Sequence, residues 1–197
     1  MSTRLTIETT TTAVPWPAPA PQPPTVTLTS QCGALKPAGP PGSACGYQVV
    51  VLDGDHLADG QAVVFDEYFT IPNERWWVTT YSQTYDAIAA ALGPYNEARY
   101  CAAVASFGLD TNMYPSLKAQ QALGGFGAGP GLNTWLQNCD PGSEDDSGTW
   151  TTGGAYVMVG FGASTPGDAV EAFTLPWQGT EPLSVDVFFY PVTSGES

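Results

Sequence analysis

The chain has 197 residues, 43% of them hydrophobic, which is enough for one buried core, and no shift in composition divides it into two comparable halves. Five basic residues (Arg4, Lys36, Arg75, Arg99 and Lys118, no two adjacent) stand against nineteen acidic ones, for a formal net charge of −14. A surface of that sign repels phosphates and anionic headgroups, so nucleic acid and acidic membranes are excluded as expected partners.

Residues 1–45 read as an extended arm. Two Thr-rich alternating runs, RLTIETTTT and TVTLTS, flank VPWPAPAPQPP, whose prolines forbid helix and favour a polyproline stretch. The runs predict strands, and Leu5, Ile7, Trp16, Val26 and Leu28 are the apolar side chains with which the arm would grip a partner by strand addition. The opening residues hold no apolar run of signal-peptide length, so the expected place of synthesis is the cytoplasm without a leader. No stretch anywhere approaches the roughly 18 uninterrupted apolar residues of a membrane span.

Residues 46–197 have the pattern of a folded domain. GYQVVVLDGDHLADGQAVVFDEYF predicts a hairpin: an apolar run to Leu52, a turn rich in Asp and Gly, and a second run to Phe69. In TYDAIAAALGP, Tyr85, Ile88, Ala89 and Leu92 share one helical face, and Gly93-Pro94 supplies the stop. RYCAAVASFG predicts a buried strand, SLKAQQALGGFG a helix with Pro115 near its start, and GLNTWLQNC a helix with Leu132, Trp135, Leu136 and Cys139 on one face. A strand over Tyr156–Val159, a helix after Thr165 and a last strand in SVDVFFYPV complete the order. The expected class is α+β: a mixed sheet or sandwich with about three to four helices, preceded by the arm.

The step Gly160-Phe161-Gly162 between a strand and an expected helix has the order of a nucleotide-binding loop. Its glycine spacing is wrong for a dinucleotide fold. Thr165-Pro166-Gly167-Asp168 also reads as a capping box, with side chains occupying the amides that a phosphate would need.

Several of these segments resemble the interleukin-like EMT inducer (PANDER-like) domain family over about residues 46–175. VVVLDGDHLADGQAVVFDEYF, with Phe65-Asp66 at its end, resembles the family's opening hairpin, and DAIAAAL the helix packed after it. AAVASFGLDTN resembles the central strand, LKAQQALGGFGAGPGL the following helix, and AYVMVGFG with Glu171-Ala172-Phe173 the closing strand, glycine turn and helix. The family's cysteine pattern is matched only by Cys32 and Cys45, Cys101 lies within a strand, and Asp140–Trp150 resembles an insertion. The resemblance implies a non-catalytic domain, and one member type of the family is a carbohydrate-binding stem domain.

The inventory for catalysis is thin. His56, the one histidine, sits in a turn among aspartates, and no Gly-x-Ser-x-Gly elbow is present, so no enzyme is expected. No cofactor is expected either, although calcium is a minority alternative: Asp53, Asp55 and Asp59 share a turn, as do Asp140, Glu144, Asp145 and Asp146, without the EF-hand order. The four cysteines Cys32, Cys45, Cys101 and Cys139 are compatible with two bridges or with four reduced thiols. Trp76 and Trp77 would point to opposite faces of a strand, and with Trp150 they are the candidate glycan contacts. The expected function is a structural or binding component of a virion, a phage tail or capsid-surface part held by its arm among other assembly proteins. The alternative is a free-standing carbohydrate-binding module.

Overall fold

The computed structural model describes residues 3–9, 26–30, 45–56, 61–71, 78–107, 115–138, 155–174 and 183–189. In chain order these form β1 (Thr3–Thr9), β2 (Val26–Ser30), β3 (Cys45–Asp53), β4 (Val63–Ile71), α1 (Val78–Leu92), β5 (Tyr100–Phe107), α2 (Leu117–Gly124), α3 (Pro130–Asn138), β6 (Tyr156–Phe161), β7 (Val170–Phe173) and β8 (Leu183–Phe189). The class is α+β, as the sequence pattern requires.

Two sheets build the body. One has five strands in the order β4-β3-β5-β6-β7 and the other three in the order β2-β1-β8. Among the described residues every ladder is antiparallel, where a mixed sheet was expected. One face of the large sheet carries Tyr47, Val49, Val51, Ala102, Val104, Tyr156 and Met158 and packs on the buried side of the helices, through Tyr85, Ile88, Leu92, Leu123, Leu132 and Trp135. The other face carries Val50, Leu52, Cys101, Ala103, Ala105, Val157 and Val159 and meets Leu183, Val185 and Val187 of β8. Being covered on both sides explains why VVVL and CAAVA are continuous apolar runs and not alternating ones: Val49 to Leu52 are all 0% exposed.

The helices end where their sequences say they should. Leu92 hands over to a short 3-10 turn at Gly93–Tyr95, with Pro94 ending the α-helical hydrogen bonding. Ser116 caps α2, its Oγ accepting from the Ala119 amide at 3.3 Å. Tyr47 and Tyr85 lock β3 to α1 edge to face at 5.8 Å between ring centroids.

One expected element is absent. After β6 the chain enters a turn and then β7, with no helix following Thr165. The Asp168 amide donates to Thr165 O at 3.1 Å, and Gly167 has φ of +105°. Proline and then glycine at the two central positions, with positive φ at the second, is the chemistry of a type II turn. The Thr165 amide and hydroxyl do donate to Asp168 Oδ2, at 2.9 and 2.6 Å. That is the link a capping box would make, so the four-residue pattern fits both structures and the glycine decides between them. These bonds hold the Asp168 carboxyl below its ordinary pKa.

The N-terminal runs are strands, as expected, but they pair within the chain. β1 lies between β2 and β8, with Ile7 opposite Leu28 on one side and Val185 on the other, and Leu5 opposite Val187. Val26 stands opposite Thr9. Trp16 lies outside the described residues.

Candidate functional site

Two loops meet at one end of the helical layer: residues 125–129 between α2 and α3, and 162–169 between β6 and β7. The Ser164 amide donates to Gly125 O at 3.2 Å, and the Gly167 and Ala169 amides donate to Gly127 O at 2.7 and 3.1 Å. Gly160 lets the first loop come this close, because a Cβ there would lie 1.8 Å from Phe126 O. The Gly-Phe-Gly step is thus a point of backbone contact.

Behind the clasp, Glu171 of β7 holds the start of α3. Its Oε2 accepts from the amides of Gly129 and Gly131 at 3.2 and 3.0 Å, and Oε1 accepts from the Leu132 amide at 2.8 Å and the Tyr156 hydroxyl at 2.6 Å. Gly129 has no side chain with which to cap the helix, so a carboxylate 42 residues away does it and meets the positive end of the helix dipole. Trp135 of the same helix stacks on Tyr156 at 5.1 Å, closing the buried side. Glu171 thus takes up three amides and the Tyr156 hydroxyl, while Trp135 Nε1 beside them is a buried donor with no hydrogen-bond partner among the described residues.

Burial, and then the hydrogen bond and charge of Glu171, push the Tyr156 hydroxyl well above the ordinary tyrosine pKa. In the unfolded chain a tyrosine loses its proton near pH 10; in the fold Tyr156 keeps it beyond that. The stability this contributes is complete below about pH 10 and is lost as pH rises, by up to about 1.4 kcal/mol per pH unit. Urea midpoints of the natural chain should therefore fall more steeply between about pH 10 and 12 than those of Tyr156→Phe; equal slopes would refute the assignment.

Next to this corner an open groove of about 480 Å³ runs between α2, α3 and the 163–167 turn. Its floor includes Leu132 and Gly129, and its polar lining is Gln120, Gln121, Asn133 and Ser164. None of its lining residues is charged, in a chain of net charge −14. Gln120 Nε2 donates to Pro115 O at 2.7 Å, which ties one amide in place. Side-chain amides and a hydroxyl both donate and accept, so the groove suits a neutral polar ligand better than an ion.

A second surface feature joins the large sheet's β4 edge to the turn before β5. Phe69, Phe65, Tyr95 and Tyr100 follow one another with ring centroids 6.3, 6.0 and 5.1 Å apart. The Arg99 guanidinium lies 4.4 Å over the Tyr100 ring, donates to the Tyr100 hydroxyl, and has its Nε 3.4 Å from Glu97 Oε2. All four rings are half-buried against the helix-side core, so their first role is packing.

Chain periodicity brings few of the candidate site residues together. Asp53 is 8% exposed and its Oδ1 accepts from the Asp55 amide at 3.1 Å, an ordinary Asx turn. Asp55 and His56 are exposed, and Asp59 lies outside the described residues. Among the described residues no group of three or more His, Cys, Asp or Glu is placed to hold a metal ion. Cys101 is buried on the face of the large sheet that meets β8, among Val50, Leu52, Ala103 and Val159. Cys32 and Cys139 lie outside the described residues, and of Cys45 only the backbone is described. Trp76, Trp77 and Trp150 also lie outside them. Among the described residues no helix is long and apolar enough to cross a membrane.

The groove residues and Glu171 were not anticipated. One sequence signal for Glu171 existed: α3 begins Gly129-Pro130-Gly131, a helix start with no capping side chain of its own.

Neither a protein-family model nor a curated protein matches this chain.

Proposed function

We propose that the protein is a non-catalytic structural and binding component of a virion, at a phage tail or capsid surface, attached to other assembly proteins through its N-terminal strands. The reading rests chiefly on one observation: among the described residues β2, supplied by the N-terminal segment, is the outermost strand of the small sheet, the position at which another strand would add. It is also supported by an acidic, Gly- and Pro-rich composition with Thr-rich strands. The interleukin-like EMT inducer resemblance fits the same non-catalytic role.

The test is the mass of the native complex from which the protein is purified, by light scattering, with intact-mass spectrometry of the released chain. A large particle of fixed stoichiometry is the expected result; a 20.7 kDa monomer at every concentration overturns it.

The uncharged groove favours a second reading, a carbohydrate-binding module. Gln121 and Asn133 would then hydrogen-bond sugar hydroxyls; Trp76, Trp77 and Trp150, the stacking candidates of the sequence, lie outside the described residues. Glycan-array binding that Gln121→Ala and Asn133→Ala both abolish would establish it, and no binding with or without calcium would remove it.

A further inference from the structure

The three helices cover one face of the large sheet, and their sequences carry almost no charge. In VTTYSQTYDAIAAAL, LKAQQALG and PGLNTWLQN the charged residues are Asp86 and Lys118, and these pair with each other at 3.5 Å. The helices are thus neutral in a chain of net charge −14. Two copies of so acidic a protein repel each other least where the meeting surfaces are uncharged, and depletion of charge marks the centre of protein contacts. Leu117, at the start of α2, is 70% exposed, the most of any large apolar side chain among the described residues. Gln121 and Gly124 follow it at i+4 and i+7, so the three share one stripe of the helix. Both also line the groove between α2, α3 and the 163–167 turn. At Gly124 the groove is open, since a Cβ there would meet nothing nearer than Pro166 Cγ at 3.9 Å. The stripe therefore has a projecting leucine at one end and a recess at the other, about 10 Å apart along the helix. Such a stripe is complementary to itself about a two-fold axis through its middle.

We infer that this helical face joins two copies of the chain, α2 packing antiparallel on α2 of a second copy, with Leu117 of each entering the groove of the other beside Gly124. This rests on the assembly reading above and names its partner. Leu132 and Ala128 in the groove give the incoming leucine apolar contact, and no lining residue is charged, so its entry buries no ion. The two copies of Gln121 meet at the axis. Each side-chain amide both donates and accepts, so one glutamine satisfies the other. Gly124 and Gly125 carry no side chains to hold the two helices apart.

The experiment compares the natural full chain with Leu117→Asp by sedimentation velocity over a range of concentrations, and oxidises Gln121→Cys to look for a bridge across the axis. Burying a leucine is worth about ten- to a hundredfold in an equilibrium constant, so Leu117→Asp should weaken association by that factor. Its circular dichroism should stay that of the natural chain, because the side chain is exposed in the single copy. Gln121→Cys should give a covalent dimer whose bridged peptide, read by mass spectrometry, joins residue 121 to residue 121. Glu67→Cys, on the exposed part of β4, should give no bridge of its residue to itself. Association that Leu117→Asp leaves unchanged overturns the inference and leaves the assembly reading standing. Association that it abolishes, without a 121–121 bridge, assigns the stripe to a different protein and overturns the second copy. A single chain at all concentrations overturns both the inference and the assembly reading.

Discussion

Replacing Gly160 by alanine is expected to destabilise the chain by more than about 3 kcal/mol, enough to leave little folded protein if its stability is ordinary. The added methyl would sit 1.8 Å from Phe126 O and 3.0 Å from the Ala169 Cβ. The first of these is a backbone atom in a loop fastened by the amides of Ser164, Gly167 and Ala169, so it has no rotamer in which to escape. Relief would require β6 and the α2–α3 loop to separate, which breaks those bonds and opens the helix-side core at Phe126, a residue 1% exposed. The control is Gly93→Ala, where nothing lies within 4 Å of the new methyl. Urea denaturation followed by circular dichroism should show a change under about 1 kcal/mol there, and comparable losses at the two positions would show that crowding is not the cause.

The second large effect is at Glu171. Glu171→Ala is expected to cost about 3 kcal/mol, and Glu171→Gln about half as much. Alanine leaves three amides at the start of α3 without their acceptor and strands the Tyr156 hydroxyl in a buried site. A lost cap alone costs about 1 kcal/mol, and an unsatisfied buried hydroxyl about 1–3 kcal/mol more. Glutamine keeps one carbonyl oxygen but turns an amide group toward donors. Because Glu171 and Tyr156 share a hydrogen bond, Glu171→Ala combined with Tyr156→Phe should cost less than the sum of the two changes, by about 0.5–2 kcal/mol. Strict additivity would mean that the two groups do not act together.

How much could be read beforehand follows from the range of the forces. The hairpin of β3 and β4, the helices with Leu92, Leu123 and Trp135 on their buried faces, and the strands β5, β6 and β8 were legible because local periodicity and turn chemistry agree there. The Thr-rich runs were legible as strands, but not their partner: the choice of β8 spans residues 10–182, and no spacing rule reaches that far. The helix expected after Thr165 failed because Thr-Pro-Gly-Asp satisfies two local structures equally, and the positive φ that only glycine takes easily decided the outcome. The groove escaped notice because its members come from α2, α3 and the β6–β7 turn and are individually unremarkable amides. Glu171 is not legible as a cap because Gly129, which precedes α3, carries no side chain, and the carboxylate that replaces one lies 42 residues away across the fold.

The pairing of β1 with β8 also sets an order of events during synthesis. Residues 183–189 leave the ribosome about 174 positions after β1. At about 5–20 residues per second the wait is on the order of ten to thirty seconds. Through that interval the hairpin lacks β8, the strand it pairs with in the small sheet. The small sheet is thus the last part of the described fold to close, after the strands of the large sheet have all been made.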